Sequence, residues 1–159
     1  MNSNAVKLLR SNLLACEQRI LKLQYSLDKV AALFPLTHST ASLLNDEQEE
    51  SIDALILRYS QSVAMIQDHI FRGIALVEQE DISDKSNRDR ALLMEKLGAI
   101  NSAELFGTAT LLRNKFAHHY PDETADRLER LNLVIDESDY VISTFKQIKE
   151  YLHKKQLVD

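Results

Sequence analysis

Two histidines and two cations stand together in the run Arg113, Asn114, Lys115, Phe116, Ala117, His118, His119, Tyr120, directly before Pro121. An imidazole exchanges a proton near neutral pH, and a guanidinium stays charged and grips two phosphate oxygens with its planar fork. RNA carries its own nucleophile, the 2′-hydroxyl. Its cleavage therefore needs only a group that moves a proton and a fixed cation facing the phosphorane-like charge. His118 is the expected proton-transfer residue and Arg113 the expected phosphate clamp. This chemistry calls for no metal and no cofactor.

The run resembles the HEPN family (higher eukaryotes and prokaryotes nucleotide-binding), whose signature is an Arg, four to six residues, then a His, near a helix end in an all-α bundle. Arg113, His118 and Tyr120 fit the longer form of the toxin branch, Arg, four residues, His, any residue, Tyr. Asn114 is the polar residue often seen after the arginine. The passage through Pro121 into a last amphipathic helix is similar to the nucleotidyltransferase-associated HEPN proteins, over roughly residues 46–152. The resemblance implies a metal-independent endoribonuclease that leaves a cyclic phosphate and a 5′-hydroxyl, a homodimeric active site, and a nucleotidyltransferase antitoxin as partner. It also implies that Tyr120 is a nucleotidylation site. A bulky phosphate-bearing group two residues from His118 would block an RNA phosphate by bulk and by charge.

Each of these residues also has a plainer role. An Arg can pair with a neighbouring acid, a His can cap a helix C-terminus, where a cation gains ~0.3–1 kcal/mol, and a Tyr suits a helix end. Asp68 is a candidate supporting residue, because family members often carry a polar side chain on the second helix facing the motif. Arg58 and His69 are weaker candidates of the same kind. His118 with Asp122, or His119 with Glu123, has metal-ligand spacing, but Pro121 interrupts the helix that would align them. His38 and His153 have no constellation around them. Lys146, Lys149, Lys154 and Lys155 suit phosphate contacts or an ordinary solvated helix face.

Around an ideal helix Arg113 and His118 lie about 140° apart, too far to meet at one atom. A stripe of small residues, Ala103, Gly107, Thr110, Asn114 and Ala117, runs between them, while Leu105, Ala109, Leu112 and Phe116 form the face expected to enter the subunit's own core. A two-fold dimer closing on the small stripe would bring two copies of the Arg/His pair around one cleft. Close packing of the stripe inside a single bundle is the alternative.

The elements that position these residues are helical throughout. Val6, Leu9, Leu13, Cys16, Ile20, Leu23, Leu27, Val30 and Phe34 recur at steps of three and four, predicting a first helix of roughly 45 Å that Pro35 closes. Leu36 to Asn45 reads as a loop. Ile52, Leu55, Tyr59, Val63, Ile66, Ile70, Ile74 and Val77 mark a second long helix over 46–81, with an acidic first turn. Ser86 caps a short helix ending at Gly98, and Asn101 with Glu104 resembles a capping box for the motif helix. Leu128, Leu131, Ile135, Ile142, Phe145, Ile148 and Leu152 mark the last helix, from 122 to about 155. The expected fold is an all-α, up-and-down bundle of four to five helices with long first, second and last helices, forming a single domain over 1–159.

Composition sets the outer limits. With 3 Gly, 2 Pro and a lone cysteine in 159 residues, the chain has few turn formers for a sandwich or barrel and no disulfide framework, so a reducing cytoplasm is the expected compartment. No apolar run approaches the ~18 residues of a membrane span. Cys16 falls in the apolar stripe and is expected to be a buried hydrophobe. The net charge of −5 argues at first sight against RNA. Yet the acids concentrate in 45–56 and 121–139, and the motif itself is basic. Two further function classes keep the same fold: a non-catalytic HEPN subunit that binds a nucleotidyltransferase or its nucleotide substrate, and a structural helical adaptor.

Overall fold

The structure, a computed structural model, describes residues 2–118 and 124–158. Helix α1 (Ser3–Val30) starts where the Asn2 side chain accepts from the backbone N–H groups of Asn4 and Ala5, satisfying donors that have no partner inside the helix. Seven of its nine stripe residues, Leu9 to Val30, are buried, while Val6 and Phe34 are half-buried at the ends. The chain leaves α1 through a 3₁₀ turn, Ala31–Leu33, ahead of Pro35. The expected loop contains a short helix, α2 (His38–Ser42), nucleated by reciprocal bonds between Thr37 and Thr40. Asn132 holds this connection down, accepting from Leu36 N at 2.7 Å and donating to Leu36 O at 2.9 Å.

The second long helix is one rod in three parts. Helix α3 (Asp46–Met65) opens on a capping box between Asn45 and Gln48, with Asp46, Glu47 and Glu49 in the first turn, where negative charge complements the helix dipole. A π segment, Ile66–Ile70, follows, in which the N–H of Phe71 reaches back five residues to the carbonyl of Ile66. Helix α4 (Phe71–Val77) completes the rod. All eight predicted stripe residues from Ile52 to Val77 are buried.

Helix α5 (Asn87–Leu97) begins at Ser86, as expected, and ends at Gly98 with φ +88°, a left-handed conformation that glycine adopts without the clash of a Cβ. The motif helix, α6 (Ala103–Ala117), leads to α7 (Thr124–Lys154). No strand occurs among the described residues, and the all-α fold with long first, second and last helices stands as expected.

Helix α1 packs along α3, α4 and α7, while α6 lies on α3, α5 and α7. The buried side chains form one continuous cluster. The approach of α1 to α4 is close enough that a Cβ on Gly73 would sit 2.9 Å from Leu9 Cδ1. Cys16 is buried in this core, and burial pushes its thiol up to about 12, which marks an inert packing residue. Arg10 crosses to the C-terminal end, its Nε donating to Leu157 O at 2.8 Å.

Candidate active site

Local capping fixes the start of α6. The Ser102 hydroxyl accepts from Leu105 N at 3.1 Å, and the Glu95 carboxylate at the end of α5 accepts from Ala103 N at 3.0 Å. The cap is therefore Ser102, one residue beyond the expected Asn101, whose side chain instead accepts from Gln147 at 2.7 Å. Midway along, the Tyr59 hydroxyl donates to Ala109 O at 2.7 Å, and the Phe116 ring stands edge-on to Tyr59 with centroids 6.4 Å apart. These contacts pin the motif half of α6 against α3.

The buried arc of α6 is Ala103, Phe106, Ala109 and Leu112. Leu105, expected in the core, is 53% exposed. Contact with α5 as well as α3 and α7 rolls the helix toward Phe106 and lifts Leu105 into solvent. The small stripe divides accordingly: Ala103 is buried within its own bundle and Thr110 half-buried, while Gly107, Asn114 and Ala117 are exposed. A Cβ on Gly107 would meet nothing within 4 Å.

At the far end α6 stops at Ala117, and His118 takes the C-cap position with φ −117° and ψ 34°, its N–H shared between the carbonyls of Asn114 and Lys115. The backbone has left the helix there, so the imidazole is aimed by the cap. His118 is exposed and lines a groove of about 450 Å³ with Asn114, Lys115, Asp126, Glu129 and Arg130, between the end of α6 and the start of α7. Asn114 also closes one end of a larger groove, about 820 Å³, between α5 and α6, whose walls include Gln67, Arg88, Gly107 and Leu111. Arg113 is half-buried and lines neither groove. The structure thus joins His118 to Asn114 and keeps Arg113 of the same chain on another side of the helix. Tyr120 and His119 lie outside the described residues, as do Asp122 and Glu123 of the two metal-spacing pairs.

Asp68 is exposed within the π segment. Within that segment it is its neighbour Gln67, 4% exposed, that meets the motif helix, its side-chain oxygen accepting from the Thr110 hydroxyl at 3.1 Å. The Gln67 amide reaches Asp68 Oδ1 at 3.5 Å, too long for a strong bond. Gln67 follows Val63 by four residues and so falls at the edge of the buried stripe, but a polar side chain there adds nothing to an apolar pattern and gives no signal of its own. Arg58 belongs elsewhere: its guanidinium donates to Ser26 Oγ at 2.8 Å and Lys22 O at 3.3 Å, tying α3 to α1.

Of the lysines on α7 and just beyond it, Lys149 pairs with Glu17 and Lys155 with Glu78, whereas Lys146 and Lys154 are exposed. Among the described residues no three His, Cys, Asp or Glu side chains converge as a metal ion would need, and no helix is long and apolar enough to cross a membrane. The chain matches no family model, no curated protein and no solved structure.

Proposed function

We propose that this chain is a metal-independent endoribonuclease toxin of the HEPN kind, acting in the cytoplasm and held in check by a nucleotidyltransferase antitoxin. The observation that carries the reading is the position of His118: an exposed imidazole at the C-cap of α6, opening onto a groove that Asn114 and two cations share. In the proposed reaction His118 moves a proton as the 2′-hydroxyl oxygen bonds to the adjacent phosphorus and the 5′-oxygen departs. Arg113 binds the non-bridging oxygens, and the products are a cyclic phosphate and a 5′-hydroxyl.

One subunit does not assemble both roles, since Arg113 does not line the groove that holds His118. This supports a homodimer in which Arg113 of one copy serves the cleft of the other. The exposed Gly107 and Leu111 beside Asn114 supply a surface for that approach. Nucleotidylation of Tyr120 by the partner is the proposed off switch.

The test is incubation of the purified chain with bulk RNA in EDTA, beside Arg113→Ala and His118→Ala. Cleavage by the wild type alone is expected. Equal activity in all three samples removes the reading. Intact RNA together with stable binding to a nucleotidyltransferase would instead select the non-catalytic subunit. Light scattering at micromolar concentration tests the dimer, which a monomer would exclude.

A further inference from the structure

Arg130, on the second turn of α7, is half-buried, and its Nε and Nη2 are enclosed with no hydrogen-bond partner among the described residues. Those two atoms form one edge of the guanidinium, the pair of parallel donors that grips two oxygens of a carboxylate or phosphate. Buried donors are ordinarily satisfied, and a guanidinium edge left without an acceptor is costly. Asp126, one turn earlier, has the spacing for a helical ion pair. Yet neither Asp126 nor Glu129 reaches Arg130 within ion-pair distance, although all three line the groove that holds His118. On its other side Arg130 lines a smaller pocket, about 150 Å³, with Phe116, Arg127 and Asp53, whose carboxylate also stays beyond ion-pair distance. No hydrogen bond fixes the side chain in place, so a swing into the wider groove breaks none and uncovers the free edge.

We propose that Arg130 is a phosphate-binding residue in the His118 groove, holding a backbone phosphate of a single-stranded RNA next to the one being cut. The proposal rests on the ribonuclease reading and adds to it a cation from the same subunit as His118, distinct from Arg113. Lys115 stands across the groove as a second positive charge. Asp126 and Glu129 balance that charge, so the site works through a directed pair of donors rather than an excess of positive potential.

The experiment uses the full chain in a His118→Ala background, which leaves RNA uncut, and a fluorescein-labelled single-stranded RNA oligonucleotide as probe. Arg130→Met is expected to bind about tenfold more weakly at low salt and to flatten the slope of log affinity against log salt by about 0.7. Equal affinity and slope overturn the proposal and leave the RNA reading intact. If neither protein binds the oligonucleotide, the RNA reading falls. The anion site is then decided by inorganic phosphate against sodium chloride at equal ionic strength: a Tm rise confined to the Arg130 protein keeps it, and no such difference overturns it. Arg130→Met is expected to melt no lower than its parent, because it removes an unpartnered buried charge. A lower Tm identifies a structural guanidinium and overturns the proposal.

Discussion

The Tyr59 hydroxyl donates to the carbonyl of Ala109 at 2.7 Å, linking the middle of α3 to the helix turn that precedes Arg113. Ala109 already accepts within its own helix, so this is a second bond to one carbonyl, and Tyr59 has no exposed surface. Burial, then Glu137 and Tyr140, push its phenol far above the ordinary tyrosine range. Tyr59→Phe keeps the packing and loses the bond, for an expected loss of about 1 kcal/mol by denaturant unfolding. Tyr59→Ala also opens a cavity under Phe116 and is expected to lose about 3–5 kcal/mol. In a spectrophotometric titration Tyr59 should ionise only as the protein unfolds.

Gly73 and Gly107 make opposite predictions for the same substitution. At Gly73 an added methyl meets Leu9 Cδ1 at 2.9 Å inside the core, so Gly73→Ala should destabilise by about 1–3 kcal/mol from overpacking, less the helix gain of about 1 kcal/mol. Gly107 faces open space, and Gly107→Ala should stabilise the subunit by up to about 1 kcal/mol. If two copies approach through this face, the same change also weakens self-association by sedimentation while the subunit Tm rises.

Cys16 should resist alkylation. Its thiol is fully buried and held near 12, so the thiolate is scarce at neutral pH. Iodoacetamide at pH 8 is expected to label the native chain at a rate set by unfolding, accelerating through the urea transition. Labelling as fast as in a free thiol peptide would contradict the packing described.

Glu137 gives a pH signature. Burial and then Asp136 raise its carboxyl above the usual glutamate value. Below the unfolded pKa the group is protonated in both states and has no effect. As pH rises toward the folded pKa the unfolded chain releases its proton first, so stability falls, and the penalty is complete above the folded value. Glu137→Gln should leave Tm unchanged near pH 4 and raise it modestly at pH 7, as followed by circular dichroism across that window.

The helical frame is legible in the sequence because burial on one side of a helix repeats every three to four residues, and α1 and the α3–α4 rod bury the residues that pattern names. Ser86 and Gly98 are legible for a second reason: a cap and a left-handed stop depend on side chains close in sequence. Leu105 misleads because Leu105, Ala109, Leu112 and Phe116 do form a coherent face. Which arc turns inward is decided by α5, which lies across the side carrying Phe106. Arg113, Asn114 and His118 declare themselves by type, and helical spacing already sets Arg113 apart from His118; the groove His118 shares with Asp126, Glu129 and Arg130 is not legible, because it depends on how α6 ends against α7. Arg130 gives no signal in the sequence, where Asp126 four residues earlier suggests an ordinary surface pair.

The π turn at Ile66–Ile70 accommodates one residue more than a plain α-helix of the same rise. Deleting a single residue there lets the rod close as uninterrupted α-helix, with Phe71, Ile74 and Val77 keeping the orientation they now have toward α1. What disappears, when the residue deleted is Gln67 itself, is the acceptor for the Thr110 hydroxyl. The polar floor of the α5–α6 groove is thus separable from the rod that carries it: a shortened chain can retain the scaffold and surrender the groove.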